Sequence, residues 1–421
     1  MRHQRADLKA KFSHTPAMFG TNFVLHLHGF QNDQQVTRVD TIAGLHMPPD
    51  NLRLQGGTDF SHTQILRQTA LFPRQSRDTA LRDNADMNLV PLIQLNRGGT
   101  LECLHFGAVA VVNTQGKVVA QAGDPHWLTF SRSTLKALQT LPFMQADGVR
   151  QFGFSQEQVA LMCASHNGEE HHVAVAQSML DKAGLNYKAL RCGCHVPGIF
   201  TLLDAAPPPG LVYDERHNNC SGKHAGFLAY CVQHSLSLDD YIDPAHPLQQ
   251  AIRRDVARAV GMDANDFKMG TDGCSAPNYA MPLSRLAYGY ARLASGVRDT
   301  EFGTSFATLS EAMTAHPDLV SGTGRNDLAF MRAGRGDWVS KIGADGVQVL
   351  GSKSRGEAFA IKIIDANKPA LFAASVEVLE QLGWLDDAQR AELKPWRATA
   401  IVNARGLLVG ERLPAFKLQS S

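Results

Sequence analysis

The chain has 421 residues, 44% of them hydrophobic, and a formal net charge of +1. That is enough apolar material for a sizeable core, with no basic excess to attract nucleic acid and no acidic tail. No run approaches the ~18–20 unbroken apolar residues of a membrane span, and no basic-then-apolar leader opens the chain, so the reading is a cytoplasmic protein that binds neither membrane nor nucleic acid.

Residues 1–86 hold 6 of the 17 histidines, no cysteine and no sustained periodicity. They read as an N-terminal extension, disordered or not part of the fold. Met87 opens the folded domain, 87–421. Leu101 to Val112 is rich in apolar and β-branched residues, Asn113-Thr-Gln-Gly116 is turn chemistry and Val118-Val119 resumes a strand, which predicts a hairpin over 101–122. A helical stretch is expected near Ser133. Ser155-x-x-Gln158 announces another as a capping box, and Glu170 to Ala183 reads as a helix closed by Gly184. The run Pro207 to Gly210 is a loop. Helices follow at about 222–233, 248–260, 281–295 and 304–315, the last stopped by Pro317. Strands return at about 337–342, 346–351 and 357–364, then a helix at about 371–382 and a final strand at Leu407 to Gly410. Strands at both ends with helices between them predict an α/β chain of the α+β type, its antiparallel sheet formed by N- and C-terminal strands around an inserted helical region.

Three motifs could carry nucleophilic chemistry. In Ser133-Thr-Leu-Lys136 the hydroxyl and the amine share one helix face, and a desolvated lysine can take the serine proton. Alone the motif is weak, because a serine near a helix start is usually a cap. Ser165-His166-Asn167 follows an apolar helix, and Lys341-Ile342-Gly343 lies on a predicted strand. Penicillin-recognising serine hydrolases carry Ser-x-x-Lys, Ser-x-Asn and Lys-Thr-Gly in this order; here Ile342 replaces the hydroxyl residue. The plainer reading makes Ser165 and Asn167 loop caps and Lys341 an edge-strand charge.

A fourth constellation joins Asn219-Cys220-Ser221-Gly222-Lys223-His224 to Asp272-Gly273-Cys274. A phosphate loop is excluded, since it needs Gly at 217 and Ser or Thr at 224 and both are histidine. Cysteines in glycine-bearing turns suit a borderline metal such as zinc, with Cys192-Gly-Cys194-His195 as a competing ligand cluster. The seven cysteines, at 103, 163, 192, 194, 220, 231 and 274, read as reduced thiols, and any of them can equally be a small buried apolar residue.

From about Met87 to Gly410 the set resembles the Rhizobium-etli-type asparaginases, the asparaginase II family. The resemblance rests on Arg97-Gly-Gly99, Arg132-Ser-Thr-Leu-Lys136, Cys163-Ala-Ser-His166, Arg191-Cys-Gly193 with His195, Asn219 to His224, Asp272-Gly-Cys274 and Lys341-Ile-Gly-Ala-Asp-Gly346. It implies a fold similar to serine β-lactamases and glutaminases, and two Ser-Lys tandems on Ser133 with Lys136 and on Ser165 with Lys341. It further implies a zinc held by Cys220, Lys223 and Cys274, a homodimer, and L-asparagine as substrate. Ser133 is then the expected nucleophile, Lys136 its base, Ser165 and Lys341 the proton relay, and Arg132 and Asp272 the substrate-binding residues, with Asp272 on the α-ammonium. Two departures stand out: Cys194 replaces an expected second glycine, and residues 1–86 have no counterpart. The competing expectations are a β-lactamase-like or peptidase-like serine hydrolase, which the lack of a leader disfavours, and a non-catalytic zinc or thiol module, which needs neither Ser133 nor the two lysines.

Overall fold

The computed structural model of the protein describes residues 88–397 and 399–421. The readings made for residues 1–86 and for Met87 lie outside them.

The main sheet is antiparallel. It contains β1 (Val90–Arg97), β2 (Thr100–Asn113), β3 (Val118–Ala122), β7 (Trp338–Gly343), β8 (Val347–Ser352), β9 (Glu357–Ile363), β10 (Ala400–Val402), β11 (Leu408–Pro414) and β12 (Gln419–Ser420). Its order is β10-β11-β1-β2-β9-β8-β7, and β3 pairs with β2 and β12. The predicted hairpin is present, Val109 facing Ala122 across it. The N- and C-terminal strands pair as expected: Ile93 opposes Pro414, and Val111 opposes Phe359. A small second sheet, β4-β6-β5, is built from β4 (Leu128–Phe130), β5 (Lys268–Thr271) and β6 (Pro277–Pro282).

The longer helices are α1 (Gln156–Met162), α2 (Glu170–Lys182), α3 (Ser221–Gln233), α4 (Pro247–Val260), α5 (Leu283–Ser295), α6 (Gly303–Ala315), α7 (Asn326–Ala333), α8 (Lys368–Gln381) and α9 (Asp387–Arg397). The Ser155–Gln158 capping box forms as read, with both reciprocal bonds made. The helix expected from 281 begins only at Leu283, because Met281 and Pro282 complete β6 and pair with β4. Pro317 does not simply stop a helix; it starts the short turn Pro317–Val320, where its missing N–H costs nothing. The strand β1 and the helix α9, with Pro395 inside it, have no counterpart in the sequence reading.

Period-two alternation divides the core. Ala108, Ala110 and Val112 of β2 face the larger helical layer, whereas Val109 and Val111 face α8 and α9. With both faces covered, β2, β8 and β9 read as nearly unbroken apolar runs. The strand β7 is the sheet edge. Val339 points into the larger core, and Lys341, two residues on, shares that side. No helix among the described residues is long and apolar enough to cross a membrane.

Candidate active site

Ser165 lies just past the C-terminus of α1, its N–H donating to Val320 O at 2.9 Å. Ser133 sits in a 3-10 turn, Arg132–Leu135, and Lys136 begins the next helical turn. The turn is entered through Arg132 at φ 50°, a left-handed conformation that costs a non-glycine residue about 1 kcal/mol. Asn278 of β6 holds it there, accepting from Arg132 N at 3.0 Å and donating to Arg132 O at 3.1 Å. On the other side β7 presses in at Gly343, where a Cβ would lie 2.9 Å from Ser131 O and 3.3 Å from Arg132 Cβ. The glycine of Lys-Ile-Gly is therefore required by the close approach of the strand edge to the serine turn.

Two buried lysines converge on one hydroxyl. Lys136 Nζ lies 2.9 Å and Lys341 Nζ 3.0 Å from Ser165 Oγ, and all three residues are buried. Lys136 also donates to Ala164 O and, at 3.2 Å, to Asn219 O, so three acceptors surround its amine. Lys341 donates to Ile342 O at 2.9 Å. Its pKa is lowered to about 7, by burial first and then by the charges of Lys136 and Arg325, while Asp327 works in the opposite direction. A neutral Lys341 amine offers its lone pair to the Ser165 O–H. Ser133, half-buried at the same turn, makes no side-chain hydrogen bond among the described residues. The Ser133–Lys136 pair implied by the resemblance is thus adjacent in the chain, but the amine is hydrogen-bonded to the other serine.

Asp327 is the anion under this pair and was not singled out in the sequence. Fully buried, it lies 3.6 Å from Lys341 Nζ and accepts from Ile342 N at 2.8 Å, Ser340 Oγ at 2.9 Å and Gln348 Nε2 at 3.1 Å. A carboxylate just inside an otherwise apolar helix, Asn326-Asp327-Leu-Ala-Phe, was the available signal. Its fourfold tethering fixes β7 to α7 and satisfies a charge that would otherwise be costly to bury.

The peptide of Asn219 links this centre to the thiol cluster. Its carbonyl accepts from Lys136, and the next residue, Cys220, caps α3. Gly222 and Gly226 let α3 close on α1; a Cβ at Gly222 would fall 2.2 Å from Leu161 O, so the Gly-Lys pair serves packing. Lys223 is thereby driven into the interior, its Nζ 3.0 Å from Cys274 Sγ. Cys220 Sγ donates to Asn219 Oδ1 at 2.9 Å. The interaction of the two thiols holds Cys274 far below its usual range and, with burial, pushes Cys220 far above it. Burial opposes the charge on Lys223, but the sulfurs of Cys274 and Cys220 outweigh it and raise its pKa. Among the described residues no group of three or more His, Cys, Asp or Glu side chains is arranged to hold a metal ion; two thiols with a lysine lie outside that donor set. Cys192 is buried and pushed up to about 12, chiefly by burial, while Cys194 is exposed, so the competing cluster is not assembled around one point.

Asp272 and Arg132 meet each other: Arg132 Nε donates to Asp272 Oδ1 at 2.9 Å, and the same guanidinium pairs with Asp345. Asp272 also contributes to the field that raises the pKa of Lys223. All nine residues singled out for the site therefore lie in one contiguous region.

Against known protein families, the model for L-asparaginase II matches residues 93–414. The chain belongs to the L-asparaginase II family. No curated protein matches it. The match runs from β1 to β11, the two strands that close the sheet, and so covers every side chain described above. Membership makes the chain an asparaginase-type amidohydrolase acting on a small amide.

Proposed function

We propose that the chain hydrolyses L-asparagine to L-aspartate and ammonia through a serine/lysine acyl-enzyme, in the manner of the Rhizobium-etli-type members it resembles and on a fold like that of serine β-lactamases. The observation that carries this reading is the buried Ser165 hydroxyl held between two lysine amines, one of them with a pKa of about 7. A lysine of that pKa exchanges protons readily at neutral pH, as a general base must.

In this reading Ser133 Oγ attacks the side-chain amide carbon, and its proton passes to Lys136 as Lys136 hands one of its own through Ser165 to the neutral Lys341 amine. The chain Lys136–Ser165–Lys341 delivers a proton to the departing amide nitrogen, so ammonia leaves as the acyl ester forms. Water then attacks the ester, the same groups return a proton to Ser133, and aspartate is released. The half-buried position of Ser133, at the strained turn, leaves it more open to substrate than the buried Ser165. Donors around the carbonyl oxygen supply the oxyanion stabilisation, worth ~3 kcal/mol each. Asp272 takes the α-ammonium, with Arg132 orienting it. The double lysine contact favours one variant of this scheme, in which Ser165 itself is acylated.

The thiol–amine cluster fits a zinc ion by donor chemistry: two soft sulfurs and one nitrogen, all buried, with Lys223 Nζ 3.0 Å from Cys274 Sγ. Cys220, Lys223 and Cys274 would hold it after losing their protons, and it would supply a fixed positive charge that orients the substrate. A cytoplasmic homodimer completes the proposal. Ammonia release from asparagine and glutamine, measured side by side, tests it: turnover of asparagine supports the reading, and turnover of neither amide removes it.

A further inference from the structure

Arg325 is a cation of this region that the mechanism leaves unused. It is half-buried at the start of α7, and its one side-chain hydrogen bond among the described residues runs from Nη1 to Asn167 Oδ1 at 3.3 Å. No carboxylate among the described residues comes within ion-pair distance of it. Arg132, by contrast, is occupied by Asp272 and Asp345.

Its place is tightly specified. Asn167 stands two residues after Ser165. Its amide is oriented by donating from Nδ2 to Thr323 O at 2.9 Å and to Glu169 Oε1 at 3.1 Å, which turns Oδ1 toward Arg325. Glu169 in turn accepts from Thr323 N and Thr323 Oγ1, both at 2.9 Å, so its oxygens are engaged by the loop. That loop, Ser321 to Gly324, turns through Gly322 at φ 107° and Gly324 at φ 71°. A Cβ at Gly322 would lie 2.7 Å from Asn167 Nδ2. The result is a guanidinium anchored on one side by the Ser165–Asn167 segment and close enough to Lys341 to act on its charge. The remaining N–H donors of its planar fork have no protein acceptor among the described residues, and the side chain keeps accessible surface. Burial lowers the pKa of this arginine, with only Asp327 pulling the other way. A desolvated guanidinium without a counter-ion is costly, and a carboxylate matches its fork bidentately.

We propose that Arg325, clamped by Asn167, binds the α-carboxylate of an amino-acid amide and thereby favours substrates with a free α-carboxylate. This rests on the amidohydrolase reading above and names the group on the substrate that this site demands. Asp272 and Arg325 would take the two charges of the amino-acid head, leaving the side-chain amide to the serines.

The test compares the full chain with Arg325→Gln and Arg325→Lys on two amides: L-asparagine, and β-alaninamide, which lacks the α-carboxylate. Arg325→Gln should raise KM for asparagine about 10- to 100-fold, the loss expected for a charged hydrogen bond, and leave kcat/KM for β-alaninamide within about twofold. Arg325→Lys should recover part of the difference. Equal losses on both amides, or no change in KM for asparagine, would overturn the proposal. Calorimetric binding of L-aspartate and of its α-amide separates this idea from the functional reading. A wild-type chain that turns over no asparagine but binds aspartate through Arg325 removes the reaction and keeps the carboxylate site; aspartate binding unaffected by Arg325→Gln removes the site.

Discussion

Lys341 Nζ lies 3.0 Å from Ser165 Oγ, although 176 residues separate them in the chain. One stands on the edge strand of the main sheet, which Asp327 ties to α7, and the other past the end of a helix. Because the contact is wholly buried, the protonation of Lys341 is set by its surroundings, and those surroundings give the reaction a pH dependence.

With Lys341 held at about 7 and active in its neutral form, kcat/KM should rise through pH 7 as the proton is lost. Asp327 opposes the depression, so Asp327→Asn should move this acidic limb to lower pH. Stability follows the same sign. Between pH 7 and the unfolded value near 10.5, the unfolded chain binds the proton and the native chain does not, so stability rises with pH in that window. A pH–rate profile of the wild-type chain and Asp327→Asn, with denaturant melts across the same range, checks both. A limb that stays in place in Asp327→Asn would detach it from Lys341.

Ser133→Ala should cut turnover by about 10³-fold or more with the fold preserved, since members of a catalytic unit fail together. Near-normal turnover in the folded variant would transfer the nucleophile to Ser165. Mass analysis of a trapped acyl-enzyme names the serine directly.

Ser165→Ala and Lys341→Ala share one hydrogen bond, so their losses in kcat should be strongly non-additive in a double-mutant cycle. Two additive losses would show that the hydrogen bond is not used in turnover.

Elemental analysis of protein purified without chelator should give about one zinc per chain, lost in Cys220→Ser and in Cys274→Ser. Affinity should fall as pH drops, because thiolate and amine ligands bind only after deprotonation. Zinc-free protein whose asparagine KM ignores added zinc would dismiss the metal and leave the serine/lysine chemistry in place.

Gly222→Ala places a methyl group 2.2 Å from Leu161 O, a backbone atom that cannot rotate away. Stability should fall by about 1–3 kcal/mol in urea melts, and Lys223 should be displaced with the helix. A variant as stable as wild type would mean that α3 and α1 can separate without loss.

The sequence by itself determined the local events. Alternation over 101–122 specified the hairpin, Ser155 and Gln158 specified a helix start, and the strand runs at the two ends of the domain specified that N- and C-terminal strands share one sheet. Its short motifs also named the residues that gather in one region, because each motif carries its own turn geometry. Tertiary structure alone decided the partnerships. Lys136 and Ser133 are three residues apart, yet the amine bonds Ser165, since burial leaves Ala164 O, Asn219 O and that hydroxyl as its acceptors. Arg132 and Asp272 neutralise each other, whereas Arg325 retains an unmatched charge. Asp327 was invisible as a partner of Lys341, because a buried ion pair is set by the docking of α7 against β7 and no periodicity records it. Side-chain period is a property of the chain taken a few residues at a time; charge pairing belongs to the packed interior, where every group must find a partner among residues that the sequence places far away.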